Sequence, residues 1–140
     1  MMNPVVHFEM PYDDADRIVR FYQSVFGWQL QRLGEAMGNY VLATTATQAE
    51  APPVEHTAVR GVINGGFYPR NPDWPAQHPS VVIGVDDVQA AMARVAAAGG
   101  EVLGEPMVIP GVGHYVSFYD TERNRVSMLQ PLPLTGGGAR

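Results

Sequence analysis

An internal repeat is the feature that most constrains how this chain can fold. Sliding the sequence by 73 residues places Asp13-Asp14 on Asp86-Asp87, and the apolar positions of two predicted helices then coincide. Both stripes follow the i, i+3, i+4, i+7 spacing of a helix with one buried face. The matched positions are Ala15, Ile18, Val19, Tyr22 and Val25 in the first helix and Val88, Ala91, Met92, Val95 and Ala98 in the second.

Strand-like segments surround each predicted helix. One such segment precedes each helix, at 5–10 and 81–85, and three more follow it. The repeated unit is therefore β-α-β-β-β, with the helix on one face of a four-stranded sheet. Because two copies can pair their open faces around a shared cavity, we expect an α+β fold of two βαβββ modules. The predicted organisation is a first module at 1–68, a linker at 69–79, a second module at 80–131 and a disordered tail at 132–140.

Local signals mark both ends of each helix. Asp14 and Asp87 belong to aspartate pairs where a helix N-cap is expected. Gly27 and Gly100 stand where a left-handed C-cap lets the chain turn back into a strand.

Two irregular features interrupt the first module. The stretch 46–60 is predicted to be a long loop, of the kind that is often functional, and its role stays open. The pair Gly65-Gly66 lies inside a strand-like segment. Paired glycines there indicate either a β-bulge, the simpler interpretation, or a close backbone approach to a ligand.

Composition excludes several chemistries. The 140 residues include no Cys, so there is no thiol nucleophile and no Cys-ligated zinc. All nine basic residues are Arg, which excludes a lysine Schiff base and a P-loop lysine. The net charge of -5 argues against nucleic-acid binding. Because no signal-peptide pattern and no apolar run of about 20 residues occurs, we expect a cytoplasmic protein that binds neither nucleic acid nor membranes.

Three segments resemble a known family. The runs HFEMPYDDADRIVRFYQSVFGW, VDDVQAAMARVAAAGGEVL and FYDTERNRVSMLQP are similar to the vicinal oxygen chelate superfamily, also called the glyoxalase, bleomycin-resistance and dioxygenase group. The resemblance implies paired βαβββ modules that form an open, eight-stranded, barrel-like cavity. For catalytic members it also implies a divalent metal that binds two adjacent substrate oxygens and stabilises an enediolate or oxyanion. The small glyoxalase-like bacterial proteins are the most similar branch.

The resemblance implies four metal-ligand positions, on the first and fourth strands of each module. In this sequence they fall on His7, Gly65, Ser80 and Ser127. Only His7 carries a good ligand, since glycine has no side chain and a neutral serine hydroxyl binds metal poorly. One imidazole cannot supply the three protein ligands that a catalytic zinc site normally has. We therefore expect no metal cofactor, with a divalent metal as the alternative.

His7 and Glu9 are the candidate catalytic residues. His7 alternates with Val6 and Phe8, which are expected to pack beneath the helix while His7 and Glu9 face the cavity. His7 can contact a ligand or act as a general base. It can equally be a buried polar residue satisfied by its neighbours. Glu9 can raise the basicity of His7, replace a missing metal ligand, or pair with an arginine such as Arg125.

Two functions remain open. The first is binding of a small organic molecule in the cavity, resembling the bleomycin-resistance branch, in which a homodimer forms the cavity. The second is a glyoxalase-type lyase, isomerase or dioxygenase that uses His7 and Glu9 with a non-standard metal site or as metal-free acid and base. The sequence favours the first and leaves open whether the chain is an enzyme. The predicted ligand-binding residues are His7, Tyr40, Phe67, Ser80, His114, Tyr115 and Ser127.

Overall fold

A computed structural model describes residues 2–46 and 62–133. Within these ranges the chain forms two compact units. The N-terminal unit comprises residues 6–80, and the C-terminal unit comprises residues from 81 onward with the residues before Val6. The predicted loop at 46–60 and the predicted tail at 132–140 lie almost entirely outside the described residues.

The N-terminal unit has the predicted β-α-β-β-β order. Its sheet order is β2-β3-β4-β1, with β1 parallel to β4 and the other pairs antiparallel. A single 3-10 turn spans Glu35–Met37. The elements are β1 (Val5–Tyr12), α1 (Ala15–Phe26), β2 (Gln29–Arg32), β3 (Val41–Thr44) and β4 (Gly65–Pro69).

The C-terminal unit repeats this topology. Its sheet order is β5-β8-β7-β6, again with the first and last strands parallel and the other pairs antiparallel. The α+β class and the repeated βαβββ order are therefore confirmed. The elements are β5 (Ser80–Gly84), α2 (Val88–Ala97), β6 (Glu101–Ile109), β7 (Gly113–Tyr119) and β8 (Arg125–Pro131).

In the N-terminal unit, the core lies between the sheet and α1. Its fully buried residues are Val41, Ala43 and Phe67, and Phe8 packs against them. The prediction for Phe8 is confirmed. The prediction for Val6 is wrong, since its side chain is 44% exposed.

Both helices begin at the predicted aspartates. The Oδ1 atom of Asp14 accepts a hydrogen bond from the backbone N–H of Arg17 at 3.0 Å. In the same way, Asp87 accepts from the N–H of Ala90 at 3.1 Å. Each carboxylate satisfies a backbone donor that the first helical turn leaves unpaired.

The two helices end differently. Gly27 adopts φ 74° and caps α1 in the left-handed region, as predicted. After α2, however, the left-handed residue is Gly99, with φ 101°. The C-cap role predicted for Gly100 is therefore wrong. Glycine is needed at position 100 because a Cβ there would lie 2.7 Å from the backbone oxygen of Tyr119.

Neither helix of the described chain has the length and apolar character needed to cross a lipid bilayer.

Candidate functional site

Three polar side chains meet on one face of the N-terminal sheet. Side chains alternate along a strand, so His7 and Glu9 of β1 point away from the face on which Phe8 packs toward α1. Tyr40 reaches them from the residue before β3. Its hydroxyl lies 2.9 Å from His7 Nε2 and donates to Glu9 Oε2 at 3.0 Å. The Tyr40 hydroxyl thus bridges the two candidate catalytic residues.

Gly66 provides the space for the Tyr40 ring. It pairs with Glu9 across β1 and β4. A Cβ built on Gly66 would lie 2.1 Å from Tyr40 Cε2 and 2.3 Å from its hydroxyl oxygen. The pairing of β4 with β1 runs without a register shift, so the bulge interpretation of the Gly65-Gly66 pair is wrong. Position 66 needs glycine because the Tyr40 ring occupies the space of any side chain there.

The imidazole of His7 is half-buried, and burial lowers its pKa because the charged form loses hydration. The Glu9 carboxylate acts in the opposite direction and raises the pKa, but burial has the larger effect. Burial therefore favours the neutral form of the His7 imidazole.

The C-terminal unit carries a second polar cluster. The Ser127 hydroxyl on β8 lies 2.8 Å from the Tyr115 hydroxyl and 2.8 Å from the Ser117 hydroxyl. Tyr115 and Ser117 alternate along β7, so they share a face of that strand. The sequence analysis singled out Tyr115 and Ser127 but missed Ser117. Ser117 stands two residues after Tyr115, and that spacing could have identified it as a residue on the same face.

Phe67 and His114 do not join these clusters. Phe67 has no exposed surface and belongs to the core beneath α1. The predicted ligand contact for Phe67 is therefore corrected to a core role, because on β4 it alternates with Gly66 and points to the opposite face. His114 is half-buried and shares its face of β7 with Val116, which packs in the α2 core. Ser80 is the half-buried first residue of β5.

Strand register corrects one assigned ligand position. Glu9 pairs with Gly66, and Val82 pairs with Ser127. Because the 73-residue repeat carries Glu9 onto Val82, the counterpart of Ser127 in the first module is Gly66. Gly65, which the sequence analysis assigned, points to the other face, since a shift of one residue reverses the side-chain direction.

These residues do not fit the metal site that the resemblance implies. The Nε2 atom of His7 is engaged by the Tyr40 hydroxyl. The Tyr40 ring fills the space that a side chain at position 66 would need. Ser127 is buried and hydrogen-bonded to two other hydroxyls. Among the described residues, no group of three His, Asp or Glu side chains is arranged to hold a metal ion.

Two surface cavities lie elsewhere in the N-terminal unit. One, of about 280 Å³, is lined by residues at the ends of β1, β2 and β4, including Tyr12, Arg32 and Pro69. The other, of about 510 Å³, is an open depression along the outside of α1 beside Arg17 and Phe21. Neither cavity is lined by a residue of the His7, Glu9 and Tyr40 cluster.

Comparison with known proteins identifies relatives by sequence and by fold. A putative glyoxylase, CFP32, from Mycobacterium bovis is 32% identical over 125 residues, which cover 89% of this chain and 43% of the relative. The chain thus spans less than half the length of that protein.

Two solved structures share the fold. A hypothetical protein, BH1468, from Bacillus halodurans superposes with a TM-score of 0.65 at 11% identity and covers 96% of this chain and 99% of its own. Methylmalonyl-CoA epimerase from Mycobacterium tuberculosis superposes with a TM-score of 0.61 at 14% identity, covering 92% of this chain and 88% of its own.

A family model described as Glyoxalase/Bleomycin resistance protein/Dioxygenase superfamily matches residues 5–128. This match contains both repeated units and the His7, Glu9 and Tyr40 cluster. The chain therefore belongs to the glyoxalase, bleomycin resistance protein and dioxygenase superfamily.

Proposed function

We propose that this chain binds a small organic molecule at the sheet face that carries His7, Glu9 and Tyr40, without a resident metal ion. The observation that supports this most strongly is the Tyr40 hydroxyl, which bridges His7 Nε2 at 2.9 Å and Glu9 Oε2 at 3.0 Å. These side chains satisfy one another, as a fixed recognition surface requires. The barrel cavity and the contacts of Ser80, His114, Tyr115 and Ser127 with a ligand remain predictions.

The chemistry of this cluster suits an organic ligand. Organic ligand sites combine apolar and aromatic surface with a few placed polar groups. Here the Tyr40 ring supplies aromatic surface, and the half-buried His7 imidazole supplies a polar contact. The family to which the chain belongs includes bleomycin resistance proteins by its own description, which is consistent with a role in binding.

Elemental analysis and native mass spectrometry of tag-free protein test the proposal together. We expect less than one equivalent of Fe, Mn, Ni or Zn per chain, and an organic molecule that stays bound to the protein. We expect less of that molecule to stay bound to His7→Ala. Stoichiometric metal that disappears in His7→Ala would overturn the proposal. Tyr12→Phe is a suitable control, because it removes from the same unit a tyrosine hydroxyl that donates to the backbone oxygen of Asn39 at 2.7 Å and not to His7 or Glu9.

A second candidate is a metal-free acid–base enzyme of the lyase or isomerase type. It is favoured by one observation, a neutral imidazole held through a tyrosine hydroxyl to a carboxylate, which is a suitable arrangement for a general base. Methylmalonyl-CoA, the compound in the name of one structural relative, is a practical probe. His7-dependent exchange of a substrate proton for deuterium, in the presence of EDTA, would favour the enzyme, and no exchange above the His7→Ala background would favour binding.

We also propose a cytoplasmic homodimer, following the resemblance to the bleomycin-resistance branch. Light scattering after size exclusion tests the dimer, with an expected mass of twice the chain's 15.2 kDa. A mass of one chain at micromolar concentration would refute it.

A further inference from the structure

The hydrogen bonds around Tyr40 have a definite direction. A tyrosine hydroxyl carries one proton, and a carboxylate oxygen can only accept. The Tyr40 proton is donated to Glu9 Oε2 at 3.0 Å. The hydroxyl oxygen must therefore accept at its contact with His7 Nε2, 2.9 Å away. It follows that Nε2 carries a proton and donates it to Tyr40.

This direction determines the state of the other imidazole nitrogen. A neutral imidazole has one N–H and one unprotonated nitrogen. Burial lowers the pKa of His7 and so favours this neutral form. With the proton on Nε2, the lone pair lies on Nδ1. Within the described part of the chain, no hydrogen bond occupies Nδ1.

We infer that Tyr40 is a positioning residue that holds His7 in the Nε2–H tautomer and so presents Nδ1 as the proton acceptor of this site. A ligand bound at Nδ1 must then supply an O–H, an N–H or an acidic C–H group. If Nδ1 takes up that proton, the imidazolium formed still donates through Nε2 to Tyr40, and Tyr40 to the Glu9 carboxylate. The ligand class rests on the proposed function, whereas the tautomer does not.

The position of Tyr40 is itself restrained. Its ring lies against Gly66, where a side chain of any kind would collide with it. Gly66 in turn is held between β1 and β3 by its pairing with Glu9 and Leu42. The hydroxyl that sets the tautomer is thus held by strand register.

Imidazole nitrogen NMR tests the inference without any ligand. Long-range ¹H–¹⁵N correlation distinguishes protonated from unprotonated ring nitrogens in ¹⁵N-labelled protein. The chain has four histidines, so His7→Gln assigns the His7 signals by their loss. In the wild-type protein at neutral pH, we expect Nε2 to be protonated and Nδ1 to be unprotonated. In Tyr40→Phe we expect this preference to be lost, while His114, on β7 of the other unit, keeps its signals.

The wild-type spectrum alone can overturn the inference, even if Tyr40→Phe fails to fold. A proton on Nδ1 with none on Nε2 would mean that Tyr40 donates to His7, the reverse of the inferred direction. An unchanged His7 tautomer in a folded Tyr40→Phe variant would equally refute the positioning role. Acidification gives a further readout, since the added proton should change the Nδ1 signal from unprotonated to protonated. Failure to find a bound organic molecule would count against the proposed function and leave the tautomer result standing.

Discussion

Replacing Gly66 with alanine perturbs the cluster through the Tyr40 ring. The added Cβ would lie 2.1 Å from Tyr40 Cε2, whereas ordinary contact begins at 3.4 Å. The ring must therefore withdraw by at least 1.3 Å, the difference between these two distances. A shift of that size away from His7 and Glu9 would take the Tyr40 hydroxyl out of hydrogen-bonding distance of both residues, to which it now lies 2.9 and 3.0 Å away.

The expected loss of stability has two sources, the broken hydrogen bonds and the added methyl group. Each hydrogen bond contributes about 0.5–1.5 kcal/mol net, and inserting a methyl group into a packed site costs about 1–3 kcal/mol. We expect Gly66→Ala to lower the free energy of unfolding by about 2–6 kcal/mol. Urea unfolding followed by tryptophan fluorescence measures this, since Trp28 stacks on Tyr22 in the core of the same unit.

A double-mutant cycle isolates the cause. In a Tyr40→Ala background the collision is absent, so Gly66→Ala should cost less than about 0.5 kcal/mol. Gly65→Ala is the matched control, because a Cβ at position 65 would lie 2.5 Å from the ring and the backbone oxygen of Phe8. Its cost should persist when Tyr40 is removed. If Gly66→Ala costs the same with and without the Tyr40 ring, the reasoning is wrong.

Three further predictions concern the same unit. Tyr40→Phe should lower the free energy of unfolding by about 1–3 kcal/mol, because His7 and a buried carboxylate each lose a partner. Tyr12→Phe, whose hydroxyl makes an exposed hydrogen bond, should lower it by less. Equal losses of the two variants in urea unfolding would contradict this. Asp14→Ala should lower the free energy of unfolding by about 1 kcal/mol, because the helix N-cap is lost. Asp13→Ala, which removes an exposed ion pair, should lower it by less. The reverse order in thermal unfolding would contradict the cap assignment. Burial lowers the pKa of His7 in the folded state, so the unfolded chain takes up a proton more readily. The free energy of unfolding should therefore fall as the pH drops from about 6.5 toward the folded-state pKa. In urea titrations, His7→Gln should remove that part of the pH dependence.

The repeat made much of the fold predictable. Helical periodicity and cap residues are local signals, so the sequence alone predicts α1, α2 and the caps at Asp14 and Asp87. The 73-residue shift then carries the organisation of one module onto the other. The position of His7 on the first strand also follows from alternation with its apolar neighbours.

The phase of β4 was not predictable in the same way. The sequence places Gly65 at the implied ligand position, one residue from its structural counterpart, Gly66. That single step reverses the face of every side chain, and in the observed register Phe67 faces the core. Register depends on pairing between strands, and no local pattern in β4 specifies it.

The contact between His7 and Tyr40 joins residues that are 33 positions apart. Tyr40 was recognised as an aromatic candidate, but nothing in its neighbourhood indicates a bond to His7. The connection depends on the space above Gly66, which is a property of three packed strands. The role of the glycine pair could therefore be seen only with the side chains in place.

In the proposed site, the Tyr40 hydroxyl and not a metal ion engages His7. The most direct test is a zinc titration of chelator-treated protein followed through the ¹⁵N signals of the His7 ring. We predict that Nε2 stays protonated and that no saturable one-to-one complex forms at either ring nitrogen. One equivalent of zinc bound at His7, with displacement of the Tyr40 hydrogen bond, would contradict the account.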